Sequence, residues 1–181
     1  RTRKLRTNLY EDHMDSLLCM MQYMTGLRQL YLDSSEDHHL LLLLQGQGCA
    51  GLESLIISSG SSITSPQLCE LLRLCPQLHT LNNYKPTCTS DAVLVELARS
   101  CPHLQVTLFN SEVTEKGVLA LAAHCRQLRE IDIPYTTVTE ETVRQLAQHC
   151  RRLTKLCVTE VMMGYYMQYS SKEFRALRET E

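Results

Sequence analysis

A period of about 25 residues runs through this chain, and no other feature limits its possible folds as tightly. The unit from Cys125 to His149 shows it best. Leu128, Ile131 and Ile133 stand three, six and eight residues after Cys125, a pattern that ends in an alternating apolar run and predicts a brief half-buried strand. Thr139 follows as a predicted helix N-cap. Glu140 and Glu141 occupy the first turn, where the partial positive charge of a helix start favours anions. Val143, Leu146, Ala147 and Cys150 then fall at i, i+3, i+4 and i+7, one apolar stripe down a short helix. A strand–loop–helix unit this small cannot bury both of its faces, so it has to stack on others like it.

The other copies are present. The cysteine position recurs as Met24, Cys49, Cys75, Cys101, Cys125 and Cys150, at intervals of 25, 26, 26, 24 and 25 residues. Three residues later stand Leu27, Leu52, Leu78, Leu104, Leu128 and Leu153; six residues later, Leu30, Leu55, Leu81, Thr107, Ile131 and Leu156. Helical stripes precede the cysteines as Leu17-Met20-Met21, Leu68-Leu71-Leu72, Leu94-Leu97-Ala98, Val118-Leu121-Ala122 and Val143-Leu146-Ala147. Leucines at fixed offsets within a period in the twenties predict an α/β leucine-rich-repeat solenoid. In such a horseshoe, parallel strands line the concave face and helices the convex face.

Two stretches break the pattern. Gln45 and Gly46 occupy apolar slots after Leu42-Leu43-Leu44, so that helix is expected to be short or to end early. Val106 to Asn110 fits either strand register, leaving open whether Leu108 or Phe109 points inward. Leu5 falls where a further repeat's strand leucine belongs. Residues 1–160 are therefore expected to form about six and a half repeats, entered partway through one, as the C-terminal part of a longer array. Residues 161–181 are expected to be a cap and charged tail, with the methionines and tyrosines of VMMGYYMQYSS covering the last open core.

Composition narrows the function classes. The 181 residues are 44% hydrophobic with a formal charge of −2, which gives no reason to expect nucleic acid or an anionic membrane as partner. The longest apolar run, Leu40 to Leu44, is far short of the roughly 20 residues of a membrane helix. Nine cysteines without a Cys-x-x-Cys argue for free thiols in a reducing compartment, the cytoplasm or the nucleus.

Catalytic and metal readings are weak. The repeat cysteines supply one thiol per unit in a line, whereas zinc needs four converging ligands; a buried ladder of small apolar thiols fits them better. Neighbouring strands lie close enough that a disulfide between adjacent rungs is geometrically conceivable. Glu11-Asp12-His13 and Glu36-Asp37-His38-His39 lie one repeat apart and could bridge a divalent ion, although N-cap and first-turn charges explain them better. His124 and His149 each precede a ladder cysteine, but a nucleophilic cysteine needs exposure that Cys125 and Cys150 are not expected to have. No Gly-rich phosphate loop is present, and no catalysis, metal or cofactor is expected.

What remains is recognition. Residues between the buried strand leucines should point out of the sheet, giving a central row of Tyr31, Ile56, Asn82, Leu108 (if that register holds), Asp132 and Cys157. With Tyr84, Glu130 and Lys155 beside them, Tyr31, Ile56, Asn82 and Asp132 form the candidate surface for a protein or peptide partner.

The motif C-x-x-L-x-x-L-x-L followed by T-x-x-x-(V/L)-x-x-L-A-x-x-C resembles the cysteine-containing repeats of the F-box/leucine-rich-repeat proteins. CRQLREIDIPYTTVTEETVRQLAQHC and CPHLQVTLFNSEVTEKGVLALAAHC carry the resemblance most clearly, and it extends over about residues 5–160. Where many repeats of that family have a second Cys or Asn after the strand, this chain has Gly60, Pro86, Glu112 and Thr136. The resemblance implies the substrate-recognition repeats of an SCF-type (cullin-RING) E3 ubiquitin ligase. The adaptor would be bound only through an F-box outside this chain. The alternative is a free-standing repeat scaffold or inhibitor with no ligase link.

Overall fold

In the computed structural model, which describes residues 3–7, 26–32, 49–109, 113–160 and 166–179, the period becomes a ladder of strands. In order these are β1 (Arg3–Thr7), β2 (Leu27–Leu32), β3 (Ser54–Ile57), β4 (Thr80–Asn83), β5 (Val106–Phe109), β6 (Glu130–Val138), β7 (Lys155–Glu160) and β8 (Tyr166–Ser170). They form one sheet in chain order, parallel from β1 to β7, with β8 antiparallel on β7. Among the described residues the α-helices are α1 (Ser65–Arg73), α2 (Asp91–Ser100), α3 (Glu115–His124), α4 (Glu140–His149) and α5 (Ser171–Glu179). The chain is thus α/β. The stripe at Leu17-Met20-Met21 and the interrupted helix around Gln45 and Gly46 lie outside the described residues, as do both acidic–histidine clusters.

Register follows the leucine column. Leu5, Leu30, Leu55, Leu81, Thr107, Ile131 and Leu156 are successive partners across seven strands. This settles the ambiguous stretch: Thr107 takes the inward slot, Leu108 falls opposite Asn82 and Asp132, and Phe109 stands opposite Asn83. Strand leucines and helix stripes merge into one buried cluster. Leu68, Leu94, Leu121 and Leu146 from the helices and Leu55, Leu81 and Ile131 from the strands are all fully buried.

Two hydrogen-bonded ladders tie neighbouring helices together. At two successive helix starts, an acidic first-turn residue serves the N-cap of the next unit. The Asp91 carboxylate accepts from the Thr114 backbone N–H at 2.8 Å and from its hydroxyl. Glu115 likewise accepts from the Thr139 N–H and from the Thr142 hydroxyl at 2.8 Å. Burial works to raise the Glu115 carboxyl, but these donors outweigh it and hold the group below the usual carboxylate range. Gly117 permits this close approach, since a Cβ there would stand 2.8 Å from Asp91 Oδ1 and 3.2 Å from Leu94 Cβ.

At the helix ends the repeat cysteines do the joining. Cys101, Cys125 and Cys150 are helix C-caps. Each thiol donates to the carbonyl of the preceding ladder cysteine, at 3.4, 3.8 and 3.5 Å. Each also reaches a carbonyl in the preceding helix, that of Leu72, Ala98 or Ala122, at 3.9 Å. The Cys75, Cys101 and Cys125 carbonyls already accept from the N–H of Leu78, Leu104 and Leu128, so a cysteine in this slot fills a small apolar gap and adds a weak second bond to its neighbour. No disulfide links these rungs.

The C-terminal end departs from expectation. Residues 172–179, read from sequence as charged tail, belong to α5. Ser170 caps its start: the Ser170 N–H donates to Glu173 Oε2 at 3.0 Å while the Lys172 N–H donates to Ser170 Oγ at 3.3 Å. Phe174 is fully buried, with its ring 6.2 Å from that of Tyr169. Arg178 then completes the ladder: Nε donates to the Ala147 carbonyl at 2.7 Å and Nη2 to that of Cys150 at 3.2 Å. These are the two acceptors that a next cysteine would have served.

Candidate partner-binding surface

Side chains one step removed from the core column share the opposite face of the sheet. Parallel register places Tyr31, Ile56, Asn82, Leu108, Asp132 and Cys157 in a single row. Tyr31, Ile56, Asn82 and Asp132 are half-buried, as expected for such a row. Cys157 is not available: it is fully buried, although it lies outside the contiguous core. The sequence reading assumed an open sheet face to the end of the array, whereas β8 lies beyond β7 and pairs Gln168 with Cys157.

The row has two unlike ends. At one, Tyr31 and Ile56 are adjacent, followed by Asn82, whose Oδ1 is buried without a partner among the described residues. Tyr84 follows directly after β4 and is 43% exposed, with its backbone N–H fixed to the Ile57 carbonyl at 2.8 Å. At the other end Glu130 stands opposite Lys155, and Lys155 Nζ lies 3.7 Å from Asp132 Oδ2. Four strand steps separate Tyr31 from Asp132, about 19 Å at the usual spacing of neighbouring strands. The candidate residues therefore form an extended face with an aromatic–aliphatic end and a charged end, not a pocket.

Sequence reasoning missed Tyr135, the most exposed large hydrophobic side chain among the described residues at 58%. Simple alternation from Asp132 would turn it into the core. A register shift between Asp132 and Thr137 inserts extra residues into β6 and turns it outward. The only hint in the sequence was the adjacent Pro134, a residue that favours bulges over regular strand.

The cysteine–histidine pairs do not assemble a nucleophile. His124 and His149 are exposed, and His149 Nδ1 lies 2.8 Å from the Gln145 carbonyl oxygen. Burial pushes the Cys101 and Cys125 thiols up to about 12 and Cys150 to about 11. The Cys75 thiol is raised by its hydrogen bond to the Cys49 thiol and then by burial. Thiols held protonated and out of solvent are poor nucleophiles and poor metal ligands.

No protein-family model matches the chain. Among solved structures it is similar to an internalin from Listeria monocytogenes. The TM-score is 0.51 with 19% identity, over 77% of this chain and 44% of the internalin. This is a likeness of fold alone, to a leucine-rich-repeat protein, and the chain spans less than half the length of that structure. The fold is of leucine-rich-repeat character. Among the described residues, no helix is long and apolar enough to cross a membrane.

Proposed function

We propose that the chain is a non-catalytic protein-binding module. In this reading it is a horseshoe-shaped solenoid whose concave strand face holds a segment of a partner protein. The observation that carries the reading is the aligned row Tyr31–Ile56–Asn82–Leu108–Asp132, continuous across five strands. An extended peptide matches the length of such a row. Tyr31, Ile56 and Tyr84 offer anchoring surface, while Glu130, Asp132 and Lys155 select by charge. Residues 1–160 are assigned to the repeat array and 161–181 to its closing element.

The resemblance of the cysteine repeats to the F-box/leucine-rich-repeat family supports a narrower assignment, the substrate receptor of an SCF-type E3 ubiquitin ligase. The adaptor would then be reached only through an F-box outside residues 1–181. Eight described cysteines without disulfides suit a reducing compartment such as the cytoplasm or nucleus.

A pull-down with the chain and its Tyr31→Ala/Asp132→Ala variant tests both levels. Both sites are on the sheet surface, so the variant should melt within about 1 kcal/mol of the parent while partner capture falls. Capture unchanged by the double substitution moves the site off this face. Cullin-adaptor binding by residues 1–181 alone removes the claim that the ligase link lies elsewhere.

A further inference from the structure

A cleft of roughly 530 Å³ opens where the last unit meets α5. Three separate segments bring guanidinium groups to its lining: Arg129 before β6, Arg151 and Arg152 in the turn after α4, and Arg175 and Arg178 on α5. The one acidic group among the described residues of the lining is Glu130. Arg178 is held by two backbone carbonyls. The other four make no ion pair with a described residue, unlike Arg28, Arg73 and Arg144, which pair with Glu53, Glu96 and Glu140/Glu141. What sets the cleft apart is that four such unpaired guanidiniums line a single cavity.

We propose that this cleft binds a phosphate monoester. Five guanidiniums facing one carboxylate repel one another, and a compact dianion in the cleft relieves that repulsion. A phosphoryl group presents three acceptor oxygens and close to two negative charges at neutral pH. Arginine's planar fork suits it better than a lysine point charge would. Ser171, Arg175 and Arg178 recur at i, i+4 and i+7, so one face of α5 carries a hydroxyl and two guanidiniums into the cleft. Single-stranded nucleic acid fits poorly, since it needs aromatic platforms for its bases and no aromatic side chain among the described residues lines this cleft. The ester's source is either a phosphorylated side chain of a partner protein or a small phosphorylated molecule; both present the same group. The proposal stands apart from the sheet-face reading and shares only Glu130 with it.

The test is fluorescence anisotropy on the full chain. The probes are a labelled phosphoserine peptide of otherwise neutral sequence and its unphosphorylated twin. The phosphopeptide should bind at least 10-fold more tightly, and the preference should weaken as pH falls through about 6, where phosphate gains its second proton. Arg152→Glu/Arg175→Glu should abolish the preference without changing the melting temperature. Arg126→Glu, exposed but outside the cleft, should leave it intact, as should Tyr31→Ala/Tyr84→Ala, which separates this site from the sheet face. Competition by glycerol 2-phosphate at the phosphopeptide's own affinity assigns the small-molecule source; competition only at far higher concentration assigns the protein source. Equal binding of the two peptides, equal loss in Arg126→Glu, or tighter binding of a DNA oligonucleotide of the same charge would overturn the proposal.

Discussion

Between Cys101 and Cys150 each unit is joined to the next by a thiol, whereas beyond Cys150 the same acceptors are met by a guanidinium. The inner junction is repetitive and modest: an S–H donates to two carbonyls at 3.4 to 3.9 Å, and apolar contact does the rest. The closing junction uses two shorter charge-assisted bonds from Arg178, with Phe174 buried in place of a next unit's leucines. The difference follows from what each junction borders. An inner unit is covered on both sides by copies of itself. The last one has α5 in place of a following copy, and the acceptor positions at its helix end would turn to water unless a long side chain reached back over them. One substitution at the end therefore stands in for a missing unit.

The largest effects should come from removing apolar volume at each kind of junction. Leu128→Ala deletes a fully buried side chain and should cost about 2–5 kcal/mol, felt by the whole array in a denaturant melt. Phe174→Ala should cost about 3–5 kcal/mol, but locally, because contacts in a repeat array run between neighbours. Hydrogen exchange reads the distinction. With Phe174→Ala, amides of α5, β8 and α4 should exchange faster while those of β3 to β5 keep their protection. If β3 to β5 lose protection equally, the end is not a separable junction.

An intermediate effect should come from Arg178→Ala, which removes the side-chain donor of the Ala147 carbonyl and leaves the Cys150 carbonyl only the Leu153 N–H, at about 1–3 kcal/mol. Arg178→Lys should recover part of that loss. The same substitution alters a titration. Burial and then the next ladder thiol raise Cys101 and Cys125 to about 12, while Cys150, raised by burial but beside the Arg178 cation that favours its thiolate, reaches about 11. Arg178→Ala should therefore move Cys150 up toward its inner counterparts, read as a later rise of thiolate absorbance. The folded-state values lie above the unfolded thiol value of about 8.5, so the unfolded chain loses its protons first. The stability these thiols contribute is complete below about pH 8.5 and should be lost as pH rises toward 11 for Cys150 and 12 for Cys101 and Cys125.

The inner units were legible in the sequence because the offsets are locked to a parallel ladder. Once Leu30, Leu55 and Leu81 share a column, Tyr31, Ile56 and Asn82 must share the next. The ends were not, since nothing there repeats. Phe174, Leu177 and Arg178 are spaced for one helix face, but a single stripe among so many charges reads as tail, and the Ser170–Glu173 capping pair passed unnoticed. Cys157 was misplaced for the same reason. The arginine cleft could not be seen at all, because its members come from three segments that only the packing of α5 brings together. At Val106–Phe109 the difficulty was different: apolar residues occur at both parities, and the slot the fold chose for its core holds a threonine.

That threonine gives the smallest expected effect and the closest test of how the inner ladder tolerates error. Thr107 is fully buried between Leu81 and Ile131, and its hydroxyl has no partner among the described residues. Thr136 is equally buried, but its hydroxyl accepts from the Val113 backbone N–H at 3.4 Å. Valine has nearly the shape of threonine without the polar atom, so the same replacement should act in opposite directions. Thr107→Val removes a desolvated group that gains nothing and should stabilise by about 1 kcal/mol. Thr136→Val strips a buried N–H of its acceptor and should destabilise by about 1 kcal/mol. Paired denaturant melts read both. Destabilisation by Thr107→Val would mean that its hydroxyl is satisfied after all, by a buried water, and that the slot in β5 was chosen for that bond, not tolerated despite it.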